Sequence, residues 1–302
     1  MSFTGPRAAA APPLDEVDRL PHLLDGLPTL PVVAIRLGEV LHSRRSSVAQ
    51  VAELIGADPS LSAKLLKLVN SAYFGIPGGV NDVAHAIPFV GFNTIYQLVL
   101  SVSVLETLRT PSGSVFDPRP LWLHSLAVAS AARVIAEDLR HSDPGSMFTA
   151  GLLHDMGKIA LAKLSPDKYL RSIELAGEEG LSSEIAEARV GLPTHDRVGA
   201  DLARRWRLPA SLIAPIEAHH VVHDVEQRAR LAPAARLSAE IVAVSDLIGR
   251  DVTQRTGAPA PIADEPLALL DTLGVTAAHR DCLHHRVMVQ LEKSRPFLAL
   301  LD

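Results

Sequence analysis

The segment Gly151-Leu152-Leu153-His154-Asp155-Met156-Gly157-Lys158 sets an imidazole beside a carboxylate at the end of a helical pattern, with a glycine that lets the chain turn away. Nitrogen and oxygen donors in this mixture suit borderline and hard divalent metals. His124 lies upstream in Leu121-Trp122-Leu123-His124-Ser125, and Asp246 lies downstream in Ile241-Val242-Ala243-Val244-Ser245-Asp246. Each is a polar group on an otherwise apolar helix. Burying such a group costs roughly 2–7 kcal/mol unless it is paired, so an ion shared between helices is one way to satisfy them. A plain hydrogen-bonded network, with Asp155 fixing the tautomer of His154, is the other. The chain has 13 histidines, so placement has to separate candidates from bystanders. His223, His279, His284 and His285 stand in no motif and read as surface or core residues. In His219-His220, adjacent helical positions point about 100° apart, which turns one ring toward a site and the other into solvent.

The elements that must position these groups are helical almost throughout, because apolar residues recur at helical spacing and β-branched alternation bounded by glycine turns is nearly absent. An all-α fold follows. Pro28-Thr29-Leu30-Pro31 ends a short helix and starts another with Val33, Leu37, Val40 and Leu41 on its apolar face. Ser47 and Gln50 form a capping box, and Asp58-Pro59 supplies an N-cap and a first-turn proline for a helix reaching about Val69, with Leu61, Leu65 and Leu68 inward. A longer apolar helix runs from about Asn93 to Leu108. The breaker-rich stretch around Thr110-Pro111 and Asp117-Pro118-Arg119-Pro120 then marks the expected boundary between two lobes. Later helices are predicted near 121–140, 145–155, 158–164, 166–178, 181–190, 195–206, 209–220, 234–249, 265–273 and 276–293. The resulting division is a flexible tail over 1–19, an N-terminal lobe over 20–116, a second lobe over 117–250, and a linker with C-terminal helices over 251–302. Gly257-Ala258-Pro259-Ala260-Pro261 is the second linker.

Composition narrows the function classes. With 302 residues, 47% hydrophobic and 21% charged, the chain is globular and has length enough to bury a core. Its single cysteine, Cys282, cannot form an intrachain bridge, which points to a reducing, cytoplasmic setting. The richest apolar stretch, Ile95 to Leu105, is broken by Gln97, Ser101 and Ser103 and is too short to span a bilayer. The N-terminus lacks the basic and leucine-rich regions of a secretion signal. A net charge of −5 argues against nucleic acid as a partner. Arg204-Arg205-Trp206-Arg207, the local exception, falls where a helix ends and cations meet the negative end of its dipole. Gly75-Ile76-Pro77-Gly78-Gly79 lacks the Lys-Ser/Thr of a phosphate loop and reads as an interlobe connection.

His124, the His154-Asp155 doublet and Asp246, in that order on an all-α chain, resemble the HD superfamily of metal-dependent phosphohydrolases. A more specific likeness covers the first lobe. Leu27-Pro28-Thr29-Leu30-Pro31, Asp58-Pro59-Ser60-Leu61-Ser62, Leu66-Lys67-Leu68-Val69-Asn70-Ser71, and Ala86-Ile87 with Gly91 resemble the HDOD domain, the HD-related output domain of bacterial signalling proteins. His195, Val198-Gly199-Ala200, Trp206-Arg207-Leu208-Pro209 and His219-His220 match that family too, extending the resemblance over about residues 20–225.

The resemblance implies a two-lobed helical bundle of HD-like type. It also implies His124, His154, Asp155 and Asp246 as metal ligands, His195 and His219 as ligands of a second ion, and Asp155 and Lys158 as the groups that would carry catalysis. The ion would be one or two of iron, manganese, zinc, nickel or magnesium. Asp155 would bridge a pair, and Lys158 would contact phosphate. HDOD domains serve mainly as regulatory or interaction modules, so the expected function is a signalling module that binds a protein partner or a small ligand. The alternative is a metal-dependent phosphohydrolase acting on a nucleotide or other phosphate ester. HD-GYP relatives that cleave cyclic di-GMP carry Gly-Tyr-Pro shortly after the late histidine pair. Val221-Val222-His223-Asp224-Val225 follows here, which disfavours that reaction. No receiver, GGDEF or kinase domain is evident, so the input signal is expected from another chain or a ligand. Tyr73 and Phe74 are expected to pack between the lobes or to offer an apolar contact surface.

Overall fold

Prolines and short polar residues punctuate the chain, and helices begin at them. The computed structural model describes residues 24–41, 46–110, 114–255, 273–274 and 277–300. Helix α1 is Val32–Leu41, α2 is Val48–Gly56 and α3 is Pro59–Val69. Ser47 Oγ accepts from the Gln50 N–H at 3.2 Å, and Asp58 Oδ1 accepts from the Leu61 N–H at 3.0 Å, so both expected N-caps form. The buried face of α1 centres on Ala34, Leu37 and Gly38, with Val33, Val40 and Leu41 packed around it. After α3, the Asn70 side chain holds Val80 at both backbone groups, accepting from its N–H at 2.7 Å and donating to its C=O at 2.8 Å. That two-point grip closes the glycine-rich turn between them.

Helix α4, Val83–Val90, was not expected as a helix; it is short and carries Pro88 within it. Asp82 caps it through the His85 N–H. Gly91 then turns the chain by 117° into α5, Phe92–Thr107. Its φ of 83° and ψ of 159° lie in a region essentially confined to glycine. No single helix among the described residues is long and apolar enough to cross a membrane.

The second half supplies the site. Its elements are α6, Arg119–Asp138; α7, Pro144–Leu153; α8, Met156–Leu164; α9, Pro166–Glu179; α10, Ser183–Arg189; α11, His195–Arg205; and α12, Ala210–Ala218. A 3-10 turn at Val221–His223 leads to α13, Val225–Arg230, and α14, Pro233–Arg255, and the chain ends with α15, Ala277–Ser294, and a 3-10 segment, Arg295–Leu300. The N-terminal tail, the Gly257–Pro261 linker and the helix expected from residue 265 lie outside the described residues.

Helix α6 is the central rod: Leu126 through Ala132 are buried without a break. Their small side chains let neighbours approach closely. Gly151 of α7 sits over the Ala129 backbone and Gly249 of α14 over Val128, where added Cβ atoms would come within 2.8 and 2.7 Å of α6. One apolar cluster runs from Leu24 to Leu300. Tyr73 joins its parts, with its ring 5.2 Å from Phe148 of α7 and 6.0 Å from Phe297, and the Arg133 guanidinium 4.6 Å from the ring centre. Tyr73 therefore packs against α7 and the C-terminal 3-10 segment, and Phe74 packs partly buried beside it. The basic run ends α11 as expected: Arg204 pairs with Asp201 at 2.7 Å and Arg205 with Asp25 at 2.8 Å, while Trp206 Nε1 donates to Pro28 O at 3.2 Å.

Replacing Gly91 by alanine is expected to lower unfolding free energy by about 1–3 kcal/mol in denaturant titration, from backbone strain alone, since open space surrounds the position. Gly56→Ala, in ordinary helical geometry with equally open space, is expected to raise it by about 0.5–1 kcal/mol.

Candidate metal centre

The polar groups of α6, α7, α8, α11, α12 and α14 meet at one end of the bundle. His124 extends from the second turn of α6, His154 closes α7, Asp155 opens α8, His195 opens α11, His219 closes α12, and Asp246 lies within α14. Helix ends thus deliver four of the six groups. Their approach depends on Gly157, though not because the chain turns there. Gly157 lies inside α8, and a Cβ on it would stand 1.9 Å from the His195 carbonyl oxygen and 2.8 Å from Gly199 N. The missing side chain is what allows α11 to lie directly against α8.

All six predicted ligands come together. His124 Nε2 is 2.8 Å from Asp246 Oδ1, and His154 Nε2 is 3.4 Å from Asp155 Oδ2 and 3.8 Å from Asp246 Oδ1. The other oxygen of Asp155 faces the second group, 3.3 Å from His195 Nε2 and 3.9 Å from His219 Nε2. Lys158 Nζ donates to Asp155 Oδ2 at 2.7 Å. Ligand atoms of His124, His154 and Asp155 lie within 4.8 Å of one another, as do those of His195, His219 and His220. Asp155 stands between two clusters, each able to hold an ion.

The donors are set in the form a metal requires. His154 Nδ1 lies 2.8 Å from Gly151 O and His219 Nδ1 lies 2.9 Å from Ile216 O. A carbonyl can only accept, so each Nδ1 carries a proton, and Nε2 is the atom left for the centre. His154 Nε2, His219 Nε2 and Asp155 Oδ1 are buried and have no hydrogen-bond partner. Buried polar groups are nearly always satisfied, so three such atoms at one place mark a site built for something else. These residues fit a divalent cation.

Electrostatics agree. Burial disfavours charge on Asp155, yet His154 and Lys158 hold its carboxyl well below the usual carboxylate range. Burial likewise opposes ionisation of Asp246, and Arg250 and His124 overcome it. His154 is driven down by burial but raised more strongly by Asp155 and Asp246, to about 9. Without an ion, its proton supplies the positive charge those carboxylates demand. His219 is pushed down to about 3 by burial and by His154 and His195, so it is neutral at neutral pH. Its Nε2 lone pair then faces Asp155 Oδ1, one acceptor against another.

Three residues of the centre escaped the sequence reading. Glu187, at the end of α10, places its carboxylate 2.9 Å from His195 Nδ1 and accepts from the His195 N–H at 2.8 Å. It fixes the ring and caps the helix at once. No short spacing announces it, because the contact forms through the turn at Gly191, whose φ is 70°. Arg250 pairs with Asp246 one helical turn away, a spacing that was visible. His220 corrects an expectation: it does not turn to solvent. Its Nε2 lies 3.0 Å from His195 Nε2, and the His219 and His220 rings are 4.1 Å apart. Both residues keep right-handed helical backbone angles, so the rings still diverge, but His195 stands on the flank that His220 turns to and takes the place of solvent. His284, one of the histidines without a motif, pairs with Asp251 at 3.3 Å, away from the centre.

An all-helical bundle with a buried histidine and aspartate cluster at the junction of its helices is the HD type of fold. The family pattern described as the HDOD domain matches residues 27–222, and the chain belongs to that family. A solved structure of a candidate phosphohydrolase from Shewanella amazonensis covers 94% of this chain and 98% of its own, at 24% identity and a TM-score of 0.71. That of a candidate signal transduction protein from Marinobacter aquaeolei covers 95% of this chain and 65% of its own, at 19% identity and a TM-score of 0.71. A curated relative from Treponema pallidum is 26% identical over an alignment of 206 residues that covers 65% of this chain and only 38% of that protein's length. At these identities the solved structures establish the shared fold.

Gly157→Ala must separate α8 from α11. It is expected to cost about 1–3 kcal/mol in denaturant titration, the usual range for overpacking, and to move His195 away from Asp155. NMR chemical shifts of the histidine ring protons would detect that movement.

Proposed function

We propose that this chain is a regulatory HDOD module whose output depends on a divalent ion held by His124, His154, Asp155 and Asp246, with room for a second at His195, His219 and His220. The observation that carries the reading is the pair of buried acceptors, His219 Nε2 and Asp155 Oδ1, facing each other at 3.9 Å, neither of them with a hydrogen-bond partner. A cation between them removes the conflict. The HDOD pattern spans residues 27–222 and takes in all of these groups but Asp246, which suits a module whose centre is coupled to the rest of the domain.

A second reading, hydrolysis of a phosphate ester, is favoured by one specific feature: the cavity lined by His124, Asp155 and Lys158 leads from solvent to the centre. A bound ion would lower the pKa of a water molecule and polarise a phosphoryl oxygen. Lys158, held by Asp155 and 12% exposed at its side chain, would offer positive charge to the phosphate. Glu187 keeps the His195 ring oriented whether or not turnover occurs.

Protein loaded with Mn²⁺ or Fe²⁺ and desalted is expected to retain about one or two equivalents by plasma mass spectrometry, and Asp155→Asn less than about a tenth of one. Equal, negligible content in both would overturn the metal reading. Release of phosphate from a panel of esters by the loaded wild type, absent in Asp155→Asn, would select the hydrolase. Glu187→Gln is expected to weaken metal affinity about 10–100-fold while the fold persists, the usual effect of removing a carboxylate behind a ligating imidazole.

A further inference from the structure

The cavity beside the centre has two chemically distinct ends. Its volume is about 440 Å³, within the roughly 300–1,000 Å³ of small-ligand sites. The inner end is formed by His124, Asp155, Lys158 and Arg250. The outer walls are apolar, made chiefly by Phe116, Leu121, Tyr169, Ile173 and Ala176. Phe116 meets Tyr169 edge to face at 5.3 Å, and Tyr169 belongs to the buried core, so this wall is firm. Ile173 is 46% exposed, leaving a large apolar side chain to water at the mouth.

We propose that this cavity binds an organic phosphate monoester, with its phosphate at the metal end and an apolar aryl or short alkyl group along the Phe116, Tyr169, Ile173 and Ala176 wall. The inference rests on the metal reading, because Asp155 and Asp246 already engage Lys158 and Arg250, which leaves a divalent ion to supply the charge that draws a phosphate in. The walls decide the organic part. A nucleotide base needs partners for its ring nitrogens and exocyclic groups, and leaving them unmet in a closed site is costly. Beyond the inner end the polar groups of the lining are four: Asp117, Ser183, Thr253 and the hydroxyl of Tyr169, whose ring belongs to the buried core. Thr253 Oγ1 already donates to Gly249 O at 2.9 Å, and Asp117 is exposed and accepts from the Arg119 N–H at 3.0 Å. The Asp117 carboxylate also places negative charge toward the mouth, which favours a single phosphate at the inner end over a polyphosphate chain reaching outward.

Isothermal titration of Mn²⁺-loaded protein with phosphonates, monoester analogues whose P–C bond is not hydrolysed, tests this directly. Phenylphosphonate is expected to bind about tenfold or more tightly than methylphosphonate, as burial of a ring requires, and AMP no more tightly than methylphosphonate. Ile173→Glu, at an exposed position that does not challenge folding, and Ala176→Phe, which fills the wall, should each erase the phenyl preference while metal content stays at the wild-type level. Loaded protein that treats phenyl- and methylphosphonate alike, or prefers AMP, overturns the proposal and leaves the metal reading standing. Protein that takes up no metal overturns both.

Discussion

The Asp155 carboxylate is 2% exposed and ionised, and the architecture of the second half of the chain can be understood as what it takes to keep it so. An isolated buried carboxylate costs several kcal/mol even after local relaxation. Compensation here comes from Lys158 on the same helix and from imidazoles at the ends of α7, α11 and α12. These groups reach Asp155 only because the backbones pack closely, through the small residues of α6 and at Gly157 against His195. A single methyl group at Gly157 would break both the packing and the electrostatics.

The compensation remains incomplete on one side. Oδ2 of Asp155 is held by Lys158, while Oδ1 is buried without a hydrogen bond and faces two imidazoles. On the opposite flank His124, His154 and Asp246 converge, with Arg250 behind Asp246 as Glu187 stands behind His195. Outer groups that orient inner ones are the usual construction of a metal site. The adjoining cavity connects this centre to solvent along largely apolar walls, so the same few helices define both the polar cluster and the shape of its approach.

Much of this was legible in the sequence, and the exceptions share a cause. Periodicity, prolines and caps located α3, α5, α6 and α11 because those signals are local: Asp58-Pro59 starts a helix wherever it occurs. The six side chains that converge were legible through polar residues on apolar helices and through family resemblance. Helix α4 escaped notice because it is short and contains Pro88. Glu187 escaped because its partner lies across a turn, and His220 was misjudged because the flank it turns to is covered by His195 from another helix. The reading of Gly157 as a turn residue failed similarly, since its role is set by a helix distant in sequence. Local chemistry is written locally, whereas contacts made by tertiary packing are not.

The central claim is that this polar cluster exists to hold a cation, and crystallography of Mn²⁺-loaded protein with anomalous scattering tests it most directly. The account predicts an anomalous peak bounded by His124, His154, Asp155 and Asp246, with the hydrogen bond between His124 and Asp246 replaced by bonds from both to the ion. A loaded crystal without a peak there, in which His124 Nε2 still bonds Asp246 Oδ1 as at 2.8 Å here, would contradict it and leave the cluster a hydrogen-bonded network that specifies the fold.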